Sequence, residues 1–212
     1  MSMILKSLIA LASTGFFVVL AEIVRRRTHL HRELTRKIAH IGVAVAVSIW
    51  PFYLTWGYVQ LLAVLLLLGI MAAKYFHLTP SIHGVRRKSY GDALFALAIL
   101  GVATFASSPA VFCAAILHLG LADGIAAIVG TKWGKGHEYY VLGDRKSIPG
   151  SVAFFIVSLL ILIGFNIWAL HPASITTIIV LPFIATLFEN IGLKGADNVT
   201  VPMLVVIALS SF

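Results

Sequence analysis

An all-α, polytopic integral membrane protein of seven to eight helices with short connections is the fold class that this sequence predicts, and three observations predict it. Of 212 residues, 60% are hydrophobic and only 11% are charged. With a mean hydropathy of +1.00, a water-soluble fold would have nowhere to place its apolar surface. Apolar runs of spanning or near-spanning length recur along the whole chain. All of the 16 Lys and Arg residues except Lys6 fall in alternate connections between those runs, the asymmetry expected of cytoplasmic loops.

The first run, Ile4 to Val24, is followed by Arg25-Arg26-Arg27 rather than preceded by charge, and it lacks a small-residue cleavage site. It is expected to stay as a helix and not to be removed as a signal peptide. Further runs cover Ile38 to Tyr53, Tyr58 to Ala73, Tyr90 to Ala106, Ala110 to Gly130, Val152 to Leu170 and Ala173 to Phe188. A span needs about 20 residues, so the shorter Val199 to Ser211 reads as a half-helix, a re-entrant segment or a short tilted span. The only cysteine, Cys113, lies within a run, which excludes an internal disulfide and a thiolate metal site. With no internal repeat or linker, residues 1–212 read as one membrane domain.

The basic connections follow the first, third, fifth and seventh runs, so the N-terminus is expected outside and this face in the cytoplasm. Arg25 to Arg27 read as anchors toward anionic lipid, and no nucleic-acid partner is expected; no pattern fixes an oligomeric state. Acidic residues on the same face need another reason. Glu33, Asp92, Asp123, Glu138, Asp144, Glu189 and Asp197 bring charges of both signs to one level of the membrane.

Asp123 is read about seven residues before the end of its run, on the order of 10 Å along the helix from the loop. A carboxylate at that depth needs a partner and marks function. Gly120, Ala127 and Gly130 share its face by helical spacing. Gly130-Thr-Lys132-Trp-Gly134-Lys135-Gly136 then reads as a loop with the composition of a phosphate cradle, although Val129 and Gly136 stand where a P-loop needs Gly and Ser or Thr. Asp144-Arg145-Lys146-Ser147-Ile-Pro149-Gly150-Ser151 leads into the next run, a helix start beside two cations that suits an anion. Ser147 or Ser151 is also an ordinary N-cap there, with Pro149 opening the helix.

Three more groups point to the same level. Arg36, Lys37 and His40 share one side of a helix. Ser89-Tyr-Gly-Asp92 has the spacing of a capping box. Glu189 ends one run while Asp197 and Asn198 begin the last; beside Lys194, this oxygen-rich set suits Mg²⁺ together with nucleotide phosphates.

These segments resemble the CTP-dependent lipid-alcohol kinases, the membrane family of dolichol kinase, phytol kinase and fungal diacylglycerol kinase. The resemblance covers residues 34–204 and rests on "RKIAHIG", "KSYGDALFAL", "LADGIAAIVGTKWGK", "RKSIPGSVAFF" and "GADNVTVP", in that order. It implies transfer of the terminal phosphate of a nucleoside triphosphate, commonly CTP, with ATP or UTP not excluded, to the hydroxyl of a membrane lipid alcohol. The acceptor would be an isoprenoid alcohol such as a polyprenol, dolichol or phytol, or else diacylglycerol.

It also implies site roles for Asp123, Lys132 to Lys135, Lys146, Ser147, Asp197 and Asn198. On that reading Asp123 and Asp197 hold Mg²⁺, with Glu189 and Asp92 as helpers, and Asp123 or Asp197 takes the lipid hydroxyl's proton. Lys132, Lys135, Arg145 and Lys146 hold phosphates alongside Gly130, Gly134, Ser147, Gly150 and Ser151. Arg36, Lys37 and His40 close the nucleotide site. Pro149 stands where the family has Glu, and Phe95-Ala96-Leu97-Ala98 where it tends to read Phe-Pro-Leu-Gly.

Two other functions fit part of the pattern. A cytidylyltransferase forming a CDP-lipid uses the same groups but releases pyrophosphate. An anion or proton-coupled transporter would use Asp123 as a relay, but the charges cluster at one face and no inverted repeat is visible. The CDP-alcohol phosphotransferase pattern is excluded, because Ile128 stands where it requires Arg. The expected location is a prokaryotic plasma membrane, or the endoplasmic reticulum in a eukaryote.

Overall fold

The computed structural model describes residues 2–27, 32–76, 91–192 and 195–210. Ser89, Arg86 to Lys88 and Lys194 lie outside the described residues, as do the side chains of Glu33 and Lys74. The described helices are α1 (Met3–Arg27), α2 (Arg32–Ser48), α3 (Trp56–Tyr75), α4 (Gly91–Phe105), α5 (Pro109–Leu117), α6 (Asp123–Trp133), α7 (Ile148–Trp168), α8 (Ile175–Ile191) and α9 (Asp197–Leu209). A 3₁₀ turn, Trp50–Phe52, follows α2, and a π turn, His118–Ala122, joins α5 to α6.

Among the described residues, four helical segments are long and apolar enough to cross a membrane: α1, residues 56–73 of α3, the continuous rod Pro109–Trp133, and α7. The apolar helices α4, α8 and α9 are shorter. The rod is the axis of the fold, since 67% of its apolar window is buried against 17% for α1 and α3. Its π turn is packed against α2, α7 and α9. Small residues permit this approach: a Cβ on Gly120 would overlap Ala44 of α2, and one on Gly124 would overlap Ile41.

Helix starts follow local chemistry. Ser108, Ser147 and Ser174 are N-caps whose hydroxyls accept from Val111, Gly150 and Thr177 N–H, and Pro109 and Pro149 fill early positions where no N–H is needed.

Two readings of the sequence are corrected here. Residues 130–133 are the last turn of α6, not a glycine-rich loop: Thr131 Oγ1 donates back to Ala127 O at 2.7 Å and Gly134 N to Gly130 O at 2.9 Å. Asp123 therefore lies ten residues from the helix end, about 15 Å along the axis. The connection to α7 also contains a two-stranded antiparallel ribbon, β1 (Glu138–Val141) with β2 (Asp144–Ser147). Tyr139, Tyr140 and Val141 favour a strand, and Leu142 and Gly143 make the two-residue turn with φ of 50° and 90°. Positive φ at both positions is the twist that such a hairpin needs.

Candidate functional site

The site is built where α2, the rod, the hairpin, α8 and α9 meet. The ribbon turns the chain back onto α6, and Ser147 seats against three glycines there. A Cβ on Gly130 would come 2.8 Å from Ser147 Oγ, one on Gly134 2.8 Å from Ser147 Cβ, and one on Gly150 3.0 Å from Ser147 Oγ. Lys146, one residue before, is thereby aimed inward. Its Nζ donates to Glu189 Oε1 at 2.6 Å and to Glu189 O at 2.8 Å.

From the opposite side α2 contributes Lys37, whose Nζ lies 2.5 Å from Asp123 Oδ2. His40 Nε2 donates to Leu119 O at 3.1 Å and lies 3.6 Å from Asp123 Oδ2. Helix α9 begins with Asp197, whose backbone would crowd any side chain on Gly192. Next to it Asn198 is buried and donates Nδ2–H to Gly91 O at 3.0 Å.

The result is a cluster of three carboxylates. One oxygen each of Asp123, Glu189 and Asp197 lies within 4.8 Å of the other two. Two unit charges at that separation repel by on the order of 3 kcal/mol at an effective dielectric of about 20. Lys37 and Lys146 offset Asp123 and Glu189, whereas among the described residues no hydrogen bond or ion pair reaches the Asp197 carboxylate. Hard, anionic oxygens gathered from three carboxylates match what Mg²⁺ takes from a protein, so these residues fit the ion.

Burial by itself pushes the Lys146 ammonium toward neutrality, but Glu189 and the neighbouring aspartates outweigh it and the net shift is upward. Lys146 stays charged at neutral pH. The carboxylates of Asp123, Glu189 and Asp197 and the carboxamide of Asn198 line a small cavity whose other walls are His118, Leu119, Phe154 and Val201. Carboxylates, one carboxamide and apolar side chains thus share its walls.

Comparison with known proteins decides the family. The chain is 34% identical over 207 residues to a phytol kinase of Synechocystis sp., covering 92% of this chain and 87% of that protein. The chain belongs to the phytol kinase family of lipid-alcohol kinases. No family model matches the sequence, and no solved structure matches the fold.

In this family member the remaining candidates are arranged outside the cluster. Asp92 opens α4 and faces Arg36 at 3.7 Å. Lys132 lies exposed with its Nζ 4.5 Å over the Trp133 ring, Lys135 is exposed, and Arg145 lies 3.9 Å from Glu138. No ion pair joins these three cations to the carboxylates among the described residues. Ser151 joins a different network: Tyr139 Oη lies 2.5 Å from Ser151 Oγ, and both donate to Asn190 Oδ1, at 2.8 and 3.0 Å. This ties the hairpin to α7 and α8.

Sequence reasoning missed Tyr139, Asn190, His118 and Ser158. His118 and Ser158 are fully buried, and His118 Nε2 lies 2.7 Å from Ser158 Oγ. Each is a lone polar residue in an apolar run, and no helical spacing ties His118 to Asp123.

Proposed function

We propose that the chain is a membrane-embedded, CTP-dependent kinase of an isoprenoid alcohol, phytol or a close relative, working with Mg²⁺ on the cytoplasmic face of a prokaryotic plasma membrane. The observation that carries this reading is the three-carboxylate cluster between Lys37 and Lys146, in the wall of a cavity also lined by Leu119, Phe154 and Val201. The phytol kinase relative supports the acceptor class, and the resemblance in the five motifs supports CTP. Seven or eight spanning segments with the N-terminus outside fit the loop charges.

Asp123, Glu189 and Asp197 would hold Mg²⁺, which when bound neutralises charge on the phosphate oxygens. Lys146 and Lys37, mostly buried, orient the β- and γ-phosphates, and the start of α7 adds the positive end of its helix dipole. Exposed Lys132, Lys135 and Arg145 attract the nucleotide from solution. The lipid hydroxyl oxygen attacks the γ-phosphorus, the bond from that phosphorus to the β-bridging oxygen breaks, and CDP leaves. The hydroxyl proton passes late to Asp197, the carboxylate of the cluster that no hydrogen bond or ion pair reaches among the described residues. Leu119, Phe154 and Val201 exclude water from that end of the cavity, which limits hydrolysis of CTP.

The test is incubation of the purified protein in detergent with Mg²⁺, phytol and other lipid alcohols, and CTP labelled in the γ-phosphate. Label in the lipid with CDP released is expected. Label in pyrophosphate would make the protein a cytidylyltransferase, and no turnover with any nucleotide would reject an enzyme of this kind.

A further inference from the structure

The π turn ahead of Asp123 has two clamps. On one side His40 of α2 donates to Leu119 O within the turn. On the other, His118 opens the turn and is held at both nitrogens: Nδ1 donates to Ala114 O at 2.8 Å, leaving Nε2 to accept from the Ser158 hydroxyl of α7 at 2.7 Å. His118 and Ser158 are both 0% exposed. An intramembrane histidine–serine pair contributes nothing to anchoring, and neither residue has a part in the chemistry above.

Geometry gives it a purpose. In a regular α-helix residues five apart are rotated by about 140° around the axis, so His118 and Asp123 would face different neighbours. A π turn pairs i with i+5 and stacks such residues on one side, and here both line the same cavity. Relaxing the turn to α-helix would turn Asp123 away from Glu189 and Asp197. The bonds that oppose this include those of His118 and His40 on the turn and that of Lys37 on Asp123 itself.

We infer that His118 and Ser158 are positioning residues: their bond holds the π turn that aims the Asp123 carboxylate into the cluster with Glu189 and Asp197. The inference rests on the metal-dependent reading of the cluster. It assigns to an apolar stretch of α7 a role in cation affinity, although Ser158 itself is no ligand.

The experiment measures Mn²⁺ binding to the detergent-purified protein without nucleotide, by electron paramagnetic resonance, alongside the melting temperature without metal and kcat and KM for CTP. Ser158→Ala is expected to weaken Mn²⁺ binding by about tenfold or more and to lower kcat similarly with little change in KM. Ser158→Thr, which keeps the hydroxyl, is expected to restore both. If Ser158→Ala does not fold, Ser158→Cys takes its place; its weak S–H donor should weaken Mn²⁺ binding in the same sense.

A folded Ser158→Ala or Ser158→Cys protein with wild-type Mn²⁺ affinity and kcat overturns the inference, even with a lowered melting temperature, because the bond would then be structural only. Wild-type protein that binds no Mn²⁺ would instead overturn the metal reading, and the inference with it.

Discussion

Asp123 and Glu189 each lie against one lysine, whereas among the described residues no ion pair reaches Asp197, and this asymmetry separates the expected phenotypes of single side chains. Asp197→Asn should lower kcat by about 10² to 10³ and raise the Mg²⁺ concentration for half-maximal activity, as read in a metal titration. Lys135→Ala should raise KM for CTP in a salt-dependent way and leave kcat unchanged, because an exposed cation acts through a field that salt screens. Lys146→Met strands Glu189 in a site where both partners are largely buried. The expected cost is about 3–5 kcal/mol of stability, measured by denaturation in detergent. Adding Glu189→Gln should recover much of that stability and none of the turnover.

Among elements, the hairpin and the end of α6 depend on one another. A methyl on Gly134 would meet Gly130 O at 2.2 Å and Ser147 Cβ at 2.8 Å, whereas Gly136 has open space around it but a φ of 83°. Gly134→Ala should therefore lower both melting temperature and kcat by pushing Lys146 outward. Gly136→Ala should cost about 1 kcal/mol and leave kcat intact, so a loss of kcat only at position 134 supports the hairpin's role. The element scale is also where the sequence was hardest to read. Asp123, Glu189 and Asp197 stood out because carboxylates are costly beside hydrocarbon, and the helix start was legible from Pro149, although the sequence left its N-cap open between Ser147 and Ser151 and the structure selects Ser147. The ribbon was hidden because its turn is Leu142-Gly143 rather than Asn-Gly. The π turn was hidden because nothing in "HLGLADG" departs from helical composition, and one added residue changes the facing of everything after it. Gly130 thus turns to Ser147, while Gly120 and Gly124 turn to α2.

For the whole molecule, the account needs the cluster at the cytoplasmic face and the short connections at the other. In a Cys113→Ser background, Lys135→Cys should react with an impermeant maleimide only from the cytoplasmic side. Leu170→Cys, at a position 95% exposed between α7 and α8, should react only from the opposite side. Labelling of both from one side would contradict the topology. The central claim joins this topology to the chemistry: a phosphate from a soluble nucleotide meets a hydroxyl held in the bilayer at three carboxylates. It is tested most directly by a single-turnover transfer from γ-labelled CTP to phytol in nanodiscs, run with wild-type, Asp123→Asn and Asp197→Asn proteins. Label in phytyl phosphate with the wild type, and almost none with either variant at saturating Mg²⁺, is the expected result. Near-normal transfer by both variants would contradict it.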